Sequence, residues 1–209
     1  MKKSLIILSL LALIVSSCKT LKNSAIHEKS IVINGVKWAT CNVAAPGTFA
    51  TAPEELGMLY QWNSKIGWSI DTLTFSENWT VYGSCQYNST TWKRANDPCP
   101  QGWRIPTRPE FINLVNASVG NKEWITINGQ GGYKLGVGEN TIFLPAAGSG
   151  VRHNATMRFK GAGSLGFYWT TTFNTTKHTP LPYQFNPTNE YFSSGGGCYA
   201  GFSVRCVAK

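Results

Sequence analysis

The cysteines are the side chains of this chain most able to do chemistry, and their spacing limits what that chemistry is. There are six: Cys18, Cys41, Cys85, Cys99, Cys198 and Cys206. No two stand close enough for a Cys-x2-4-Cys zinc pair, and His27, His153 and His178 are far apart in sequence, so no metal and no cofactor is expected. A nucleophilic cysteine needs a base or a second thiol beside it. Cys41 and Cys198 could be nominated, but neither has a neighbouring histidine or a partner cysteine at short spacing. Carboxylate catalysis fares no better. Asp71 and Asp97 are the only aspartates, and Glu54 and Glu55 are adjacent and would point to different faces of a helix. No Gly-x-Ser-x-Gly, His-Glu-x-x-His or phosphate-cradling glycine loop is recognised, and Gly131-Gly132 and Gly195-Gly196-Gly197 read as turns. The chain is not expected to be an enzyme.

Cys18 has a different role. Lys2 and Lys3 precede an apolar stretch, Leu5 to Val15, which falls well short of the roughly 20 residues a spanning helix needs. It ends in Val15-Ser16-Ser17-Cys18, the pattern of a bacterial lipobox. Residues 1–17 therefore read as a lipoprotein signal peptide, with Cys18 lipidated and residues 18–30 a short tether to a domain over 31–209. Two acyl chains give stable anchoring where one is marginal. The expected location is the outer membrane, on its periplasmic or cell-surface side. The remaining five cysteines are odd in number, so an oxidising compartment leaves one unpaired. Cys99, just before a helix, and Cys206, in the last strand, invite a disulfide joining the two ends of the domain. Cys85 with Cys198 is a weaker second pair, and Cys41 reads as a buried free thiol.

Removal of residues 1–17 takes away Lys2 and Lys3 and no acid, leaving 17 Lys and Arg against 10 Asp and Glu, a net charge of +7. The basic residues are scattered, without the stripe or module that nucleic-acid binding requires, so no nucleic-acid partner is expected. An anionic surface, such as an acidic glycan, suits the charge better.

The elements that must position these groups are partly legible. Thr107 and Glu110 form a Thr-x-x-Glu capping box after Pro98, Pro100 and Pro106, with Phe111, Leu114 and Val115 on one face of the helix that follows. Ile31 to Ala39 alternates around Asn34-Gly35, the strongest two-residue hairpin signal. Pro53 to Asn63 reads as a second short helix carrying Leu56, Leu59 and Tyr60. Residues 64–98 read as long loops pinned by Trp68, Trp79 and Trp92. Trp124 to Asn128 and Gly132 to Gly136 read as short elements, and strands are expected at Thr141 to Pro145, Phe167 to Phe173, Tyr183 to Phe185 and 202–207. In the last, Phe202, Val204 and Cys206 share one side and Ser203, Arg205 and Val207 the other.

Six blocks carry a family resemblance: Gly35-Val36-Lys37-Trp38-Ala39-Thr40-Cys41-Asn42-Val43, Gly57-Met58-Leu59-Tyr60-Gln61-Trp62, Cys99-Pro100-Gln101-Gly102-Trp103-Arg104-Ile105-Pro106-Thr107, Phe143-Leu144-Pro145-Ala146-Ala147-Gly148, Tyr168-Trp169-Thr170-Thr171-Thr172 and Ser203-Val204-Arg205-Cys206-Val207. In this order they resemble the Fibrobacter succinogenes major paralogous domain, found in exported lipoproteins of Bacteroidetes and Fibrobacteres. The resemblance implies an α+β, C-type-lectin-like fold: two short helices, small antiparallel sheets, long loops, and termini meeting on one sheet. A disulfide from the first-helix region to the last strand is what that fold would use. It implies no settled activity. A formylglycine-generating type of enzyme shares the lectin-like architecture and is the less favoured reading. Asn186-Pro187-Thr188-Asn189-Glu190 faintly resembles a lectin calcium loop, but its order differs and no Trp-Asn-Asp follows, so it reads as a polar turn.

In such a fold the ligand loops lie between Tyr168 and Tyr199, a segment rich in Tyr, Asn, Ser and Thr, the residues of adaptable recognition surfaces. The candidate contacts are Phe173, Asn174, His178, Tyr183, Asn186, Asn189, Tyr191 and Tyr199. Related domains in Bacteroidetes lipoproteins can be targets of diversity-generating retroelements, which mutate adenines, and this composition is compatible with such a history. The resulting expectation is a membrane-anchored, non-catalytic binding or adhesion lipoprotein whose ligand is a glycan or a cell-surface protein. The alternative is a structural or fimbria-associated surface component.

Overall fold

The computed structural model describes residues 30–70, 78–82, 89–192 and 197–209. Four residues of the N-terminal strand, Ser30–Ile33, turn at Asn34 and Gly35 into Val36–Ala39. Both turn residues have positive φ, 47° and 80°, as a tight hairpin between right-twisted strands demands. Val207–Ala208 then pairs with the second strand of this hairpin and with Trp103–Arg104, giving a four-stranded antiparallel sheet that holds both ends of the domain together.

The Cys99–Cys206 disulfide locks the same junction, with Cα atoms 6.1 Å apart across 107 residues of sequence. Cys198 is also disulfide-bonded, and Cys85, its expected partner, lies outside the described residues. Cys41 is a buried free thiol.

Helix Arg108–Ala117 starts as its sequence requires. The Thr107 side chain accepts from the Glu110 N–H, and the Glu110 carboxylate accepts from the Thr107 N–H at 2.7 Å. Arg104 adds a two-pronged contact to the same carboxylate, 2.9 and 2.5 Å. Burial works against the charge on Glu110, but Arg104 and Thr107 outweigh it and hold the carboxyl below its ordinary value. Asp97, by contrast, is pushed up by burial even though it accepts from the Cys99 and Ile105 N–H groups. The helix buries Phe111 and Leu114. Phe111 packs edge-on to Trp38 and stacks on Tyr183 at 5.1 Å.

The two-helix, C-type-lectin-like α+β arrangement is corrected here. Arg108–Ala117 is the one α-helix among the described residues, and the rest is small antiparallel sheets and loops. The second helix expected over 53–63 is instead a turn followed by the strand Met58–Tyr60, paired with Gly67–Ser69. Gly57 shows why. Its φ is +68°, and a Cβ there would lie 2.3 Å from the Val43 carbonyl oxygen. A helix cannot run through that left-handed residue.

Three further three-stranded sheets and the short hairpin Phe173–Asn174/Thr179–Pro180 complete the domain. Glu123–Ile127, Gln130–Val137 and Asn140–Pro145 form an up-and-down sheet whose first turn is Asn128-Gly129, both at positive φ. Thr156–Lys160, Ser149–His153 and Ala200–Gly201 form a second, and Gly166–Tyr168, Tyr183–Phe185 and Glu190–Phe192 a third.

The closing segment is also not the single two-faced strand expected over 202–207. It pairs in separate short pieces, Phe202 with Tyr60, Ser203 with Tyr168 and Val207 with Trp38 and Arg104, and residues 200–207 are buried throughout. Arg205, expected on the side opposite Phe202, Val204 and Cys206, is fully buried, and the residues of both sides are buried with it. Its guanidinium donates to Asn42 Oδ1 at 3.1 Å, the Ala39 carbonyl at 3.1 Å and the Phe143 carbonyl at 2.9 Å. It thus ties three remote stretches of chain together. Burial disfavours its charge, and Tyr168 and Cys41 act in the opposite direction.

Candidate functional site

The eight candidate contacts do not form one surface. Tyr183 is fully buried; it stacks on Phe111, and its hydroxyl donates to the Glu190 carboxylate. Burial, reinforced by Glu190, raises its pKa far above the ordinary tyrosine value. It belongs to the core, because its strand pairs on both sides and lies beneath the helix. Phe173 is half-buried against Trp62 at 5.9 Å. Asn174 caps a turn by accepting from the Lys177 N–H, and His178 is exposed at that hairpin tip with φ 47°. Asn186 is spent on its own turn, accepting from the N–H groups of Thr188 and Asn189, while Asn189 is exposed beside it. Tyr191 is 54% exposed on its strand. Tyr199 joins an aromatic cluster that reaches the surface, and its partners there come from outside the 168–199 segment.

Those partners are Tyr82 and His153. The Tyr82 ring stacks on the His153 ring at 4.6 Å and 21°, and meets Tyr199 edge-on at 4.7 Å, yet Tyr82 remains 52% exposed. Large aromatics on a surface are usually either mobile or covered; this one is braced and open.

The bracing can be followed inward. Trp79 is buried against Trp68 at 5.8 Å and fixes the start of the Tyr82 segment. The Tyr82 N–H donates to the Arg152 carbonyl at 2.7 Å, and Arg152 Nη1 donates to the Trp79 carbonyl at 3.0 Å. Buried Gln61 joins the two tyrosine segments: its amide nitrogen donates to the carbonyls of Thr80 and Tyr199, and its oxygen accepts from the Thr80 N–H. Beneath the His153 strand, Gly150 and Gly201 let Trp68 and Trp79 approach. A Cβ at either would sit 2.2 or 2.3 Å from an indole carbon. The shelf of Tyr82, His153 and Tyr199 therefore rests on a glycine-and-tryptophan layer.

Elsewhere the surface offers less chemistry. A groove of about 490 Å³ lies between the first hairpin and the helix end, lined by Val32, Ile33, Asn34, Asn116, Ala117, Val137 and Asn140, with no titratable side chain. A second groove has Lys134 as its one charged group. Neither sets a nucleophile beside a base. Among the described residues no group of three or more His, Cys, Asp or Glu could hold a metal ion. Gly161-Ala162-Gly163-Ser164-Leu165-Gly166 has the spacing of a dinucleotide fingerprint, but it runs between strands and opens no helix, so the phosphate-binding geometry is missing.

Sequence reasoning passed over Tyr82 and His153. Tyr82 lies in a stretch without periodicity, and His153 reads in the sequence only as a histidine too far from the others to share a zinc. One signal was available: no Asp or Glu occurs between Glu139 and Glu190, while Arg152, His153, Arg158 and Lys160 fall close together within that gap.

The sequence profile described as the Fibrobacter succinogenes major domain matches residues 31–208. No curated protein and no solved structure matches the chain.

Proposed function

This chain belongs to the Fibrobacter succinogenes major domain family, and on that premise we propose that it is a membrane-anchored surface lipoprotein with a non-catalytic, ligand-binding domain. Family membership supports a surface-associated domain. Cys18, outside the described residues, is the lipid attachment point in this reading. Among the described residues no helix is long and apolar enough to cross a membrane, so the acyl chains would be what holds the protein there. The ligand is a glycan or a glycoprotein of another cell surface.

The observation that carries the binding role is Tyr82, an aromatic held by two ring neighbours and still half open. A ring fixed in advance loses little freedom when a ligand lands on it, so more of the contact energy appears as affinity. The test has two arms. Cys18→Ser should move the protein from the membrane fraction to the soluble one, and its retention in membranes would remove the lipoprotein assignment. Purified full-length protein in detergent micelles should bind whole cells or glycoprotein mixtures, and Tyr82→Ala should weaken that binding. Equal binding by wild type and variant would remove the shelf from the account.

A further inference from the structure

The face that carries the shelf also carries charge. In the hairpin Ser149–His153/Thr156–Lys160, Thr156 lies opposite His153, Arg158 opposite Val151 and Lys160 opposite Ser149. Directly opposed residues of an antiparallel pair share a face, and diagonal neighbours lie about 7–8 Å apart. Arg158 is therefore the diagonal neighbour of His153, on the same side of the sheet. The alternate residues Met157 and Phe159 turn inward against the Trp68 and Trp79 layer, which fixes Arg158 and Lys160 outward. Both are exposed. Among the described residues neither has a carboxylate partner, and the nearest acids in sequence are Glu139 and Glu190. Unlike Arg104, whose guanidinium is spent on Glu110, Arg158 presents an unused two-pronged donor beside a braced aromatic shelf.

We propose that this face binds a carboxylated sugar ring, with the C–H face of the pyranose on Tyr82 and its carboxylate on Arg158. Each half of the site selects one half of the ligand. An aromatic face takes the apolar side of a pyranose and does not favour a bare phosphate or sulfate. A guanidinium matches the geometry of a carboxylate in paired hydrogen bonds, where an ammonium such as Lys160 supplies a point charge. A neutral sugar would satisfy the shelf and leave Arg158 idle, and a simple anion would do the reverse. The class is hexuronic or sialic acid, which share a carboxylate on a six-membered ring. The proposal rests on the binding role assigned above to Tyr82.

The experiment titrates full-length protein in detergent micelles with trigalacturonate, with 3′-sialyllactose, and with their neutral counterparts galactotriose and lactose. At least one acidic sugar should bind at least about tenfold more tightly than its neutral counterpart, since a charge-assisted hydrogen bond carries that much discrimination. Which one binds separates a uronate chain from a terminal sialate. Arg158→Gln should erase the preference for acid over neutral. Tyr82→Ala should weaken the acidic ligand by up to roughly tenfold without lowering the melting temperature, as an aromatic contact of this kind is worth up to about one factor of ten. Failure of both acidic sugars, equal affinity for acid and neutral, an Arg158→Gln protein that keeps the preference, or equal competition by tripolyphosphate would each overturn the proposal. If the acidic sugars fail while cell binding persists and still depends on Tyr82, the binding role stands and the ligand class falls.

Discussion

Removing the Cys99–Cys206 bridge should cost this domain more than any single surface change. The bond closes a loop of 107 residues, for which chain entropy gives an upper figure of about 4–5 kcal/mol. For a domain of this size each kcal/mol lowers the melting temperature by about 2–4 °C, so the full effect would be roughly 8–20 °C. Cys206 is fully buried beside Arg205, so its replacement also leaves a void; Cys99 is only partly buried. The Cys99→Ala protein is therefore the cleaner measure, and Cys206→Ala should melt lower still. The assay is thermal unfolding followed by circular dichroism without reductant, which leaves the bond at Cys198 untouched. A drop below about 3 °C for Cys99→Ala would refute the reasoning. It would mean that the unfolded chain already keeps the two cysteines close, so that the bridge removes little of its freedom.

Three other outcomes follow from the core. Arg205→Lys strands at least two of the acceptors on Asn42, Ala39 and Phe143 and should destabilise the fold by about 3 kcal/mol or more in denaturant unfolding; near-neutrality would remove the latch. Gly57→Ala meets both the positive φ and the Val43 carbonyl and should lose about 2 kcal/mol or more, whereas Gly35→Ala, with open space around it, should lose less. Glu110 has its folded-state pKa lowered, so the stability it contributes is present above its ordinary 4.5 and is lost as pH falls through the lower folded value. Glu110→Gln should therefore be less stable than wild type at neutral pH, with the gap closing in acid; a gap that stays constant with pH would contradict the assignment.

What the sequence reveals here are the local rules, and what it hides are the long-range ones. The Thr107–Glu110 box, the Asn34-Gly35 turn and the strand Tyr183–Phe185 depend on neighbouring residues and can be read directly. Asn128-Gly129 carries the same turn signal as Asn34-Gly35 and marks a hairpin that could have been read in full. The 53–63 segment looks helical by spacing, but the constraint that breaks it, the Val43 carbonyl against Gly57, comes from fourteen residues away in sequence. Alternation divides Arg205 from Phe202, Val204 and Cys206 but does not show that both sides of this segment are buried. The candidate site failed for a related reason: aromatic content along 168–199 does not distinguish Tyr183, which packs under the helix, from Tyr199, which reaches the surface. The shelf joins residues 82, 153 and 199, and only the sheet pairing puts them together.

The most direct test of the account is a paired measurement on two tyrosines, cell-surface binding and melting temperature, with Tyr82→Ala set beside Tyr183→Ala. Tyr82→Ala should weaken binding and keep the wild-type melting temperature, because its ring is half exposed, its N–H is held by the Arg152 carbonyl, and the preceding Thr80 is held by Gln61. Tyr183→Ala should melt far lower, since its buried ring stacks on Phe111, by an amount matching about 3–5 kcal/mol. A Tyr82→Ala protein that binds as wild type does, or that melts as low as Tyr183→Ala, would contradict the claim that this domain is a rigid frame presenting the Tyr82 shelf.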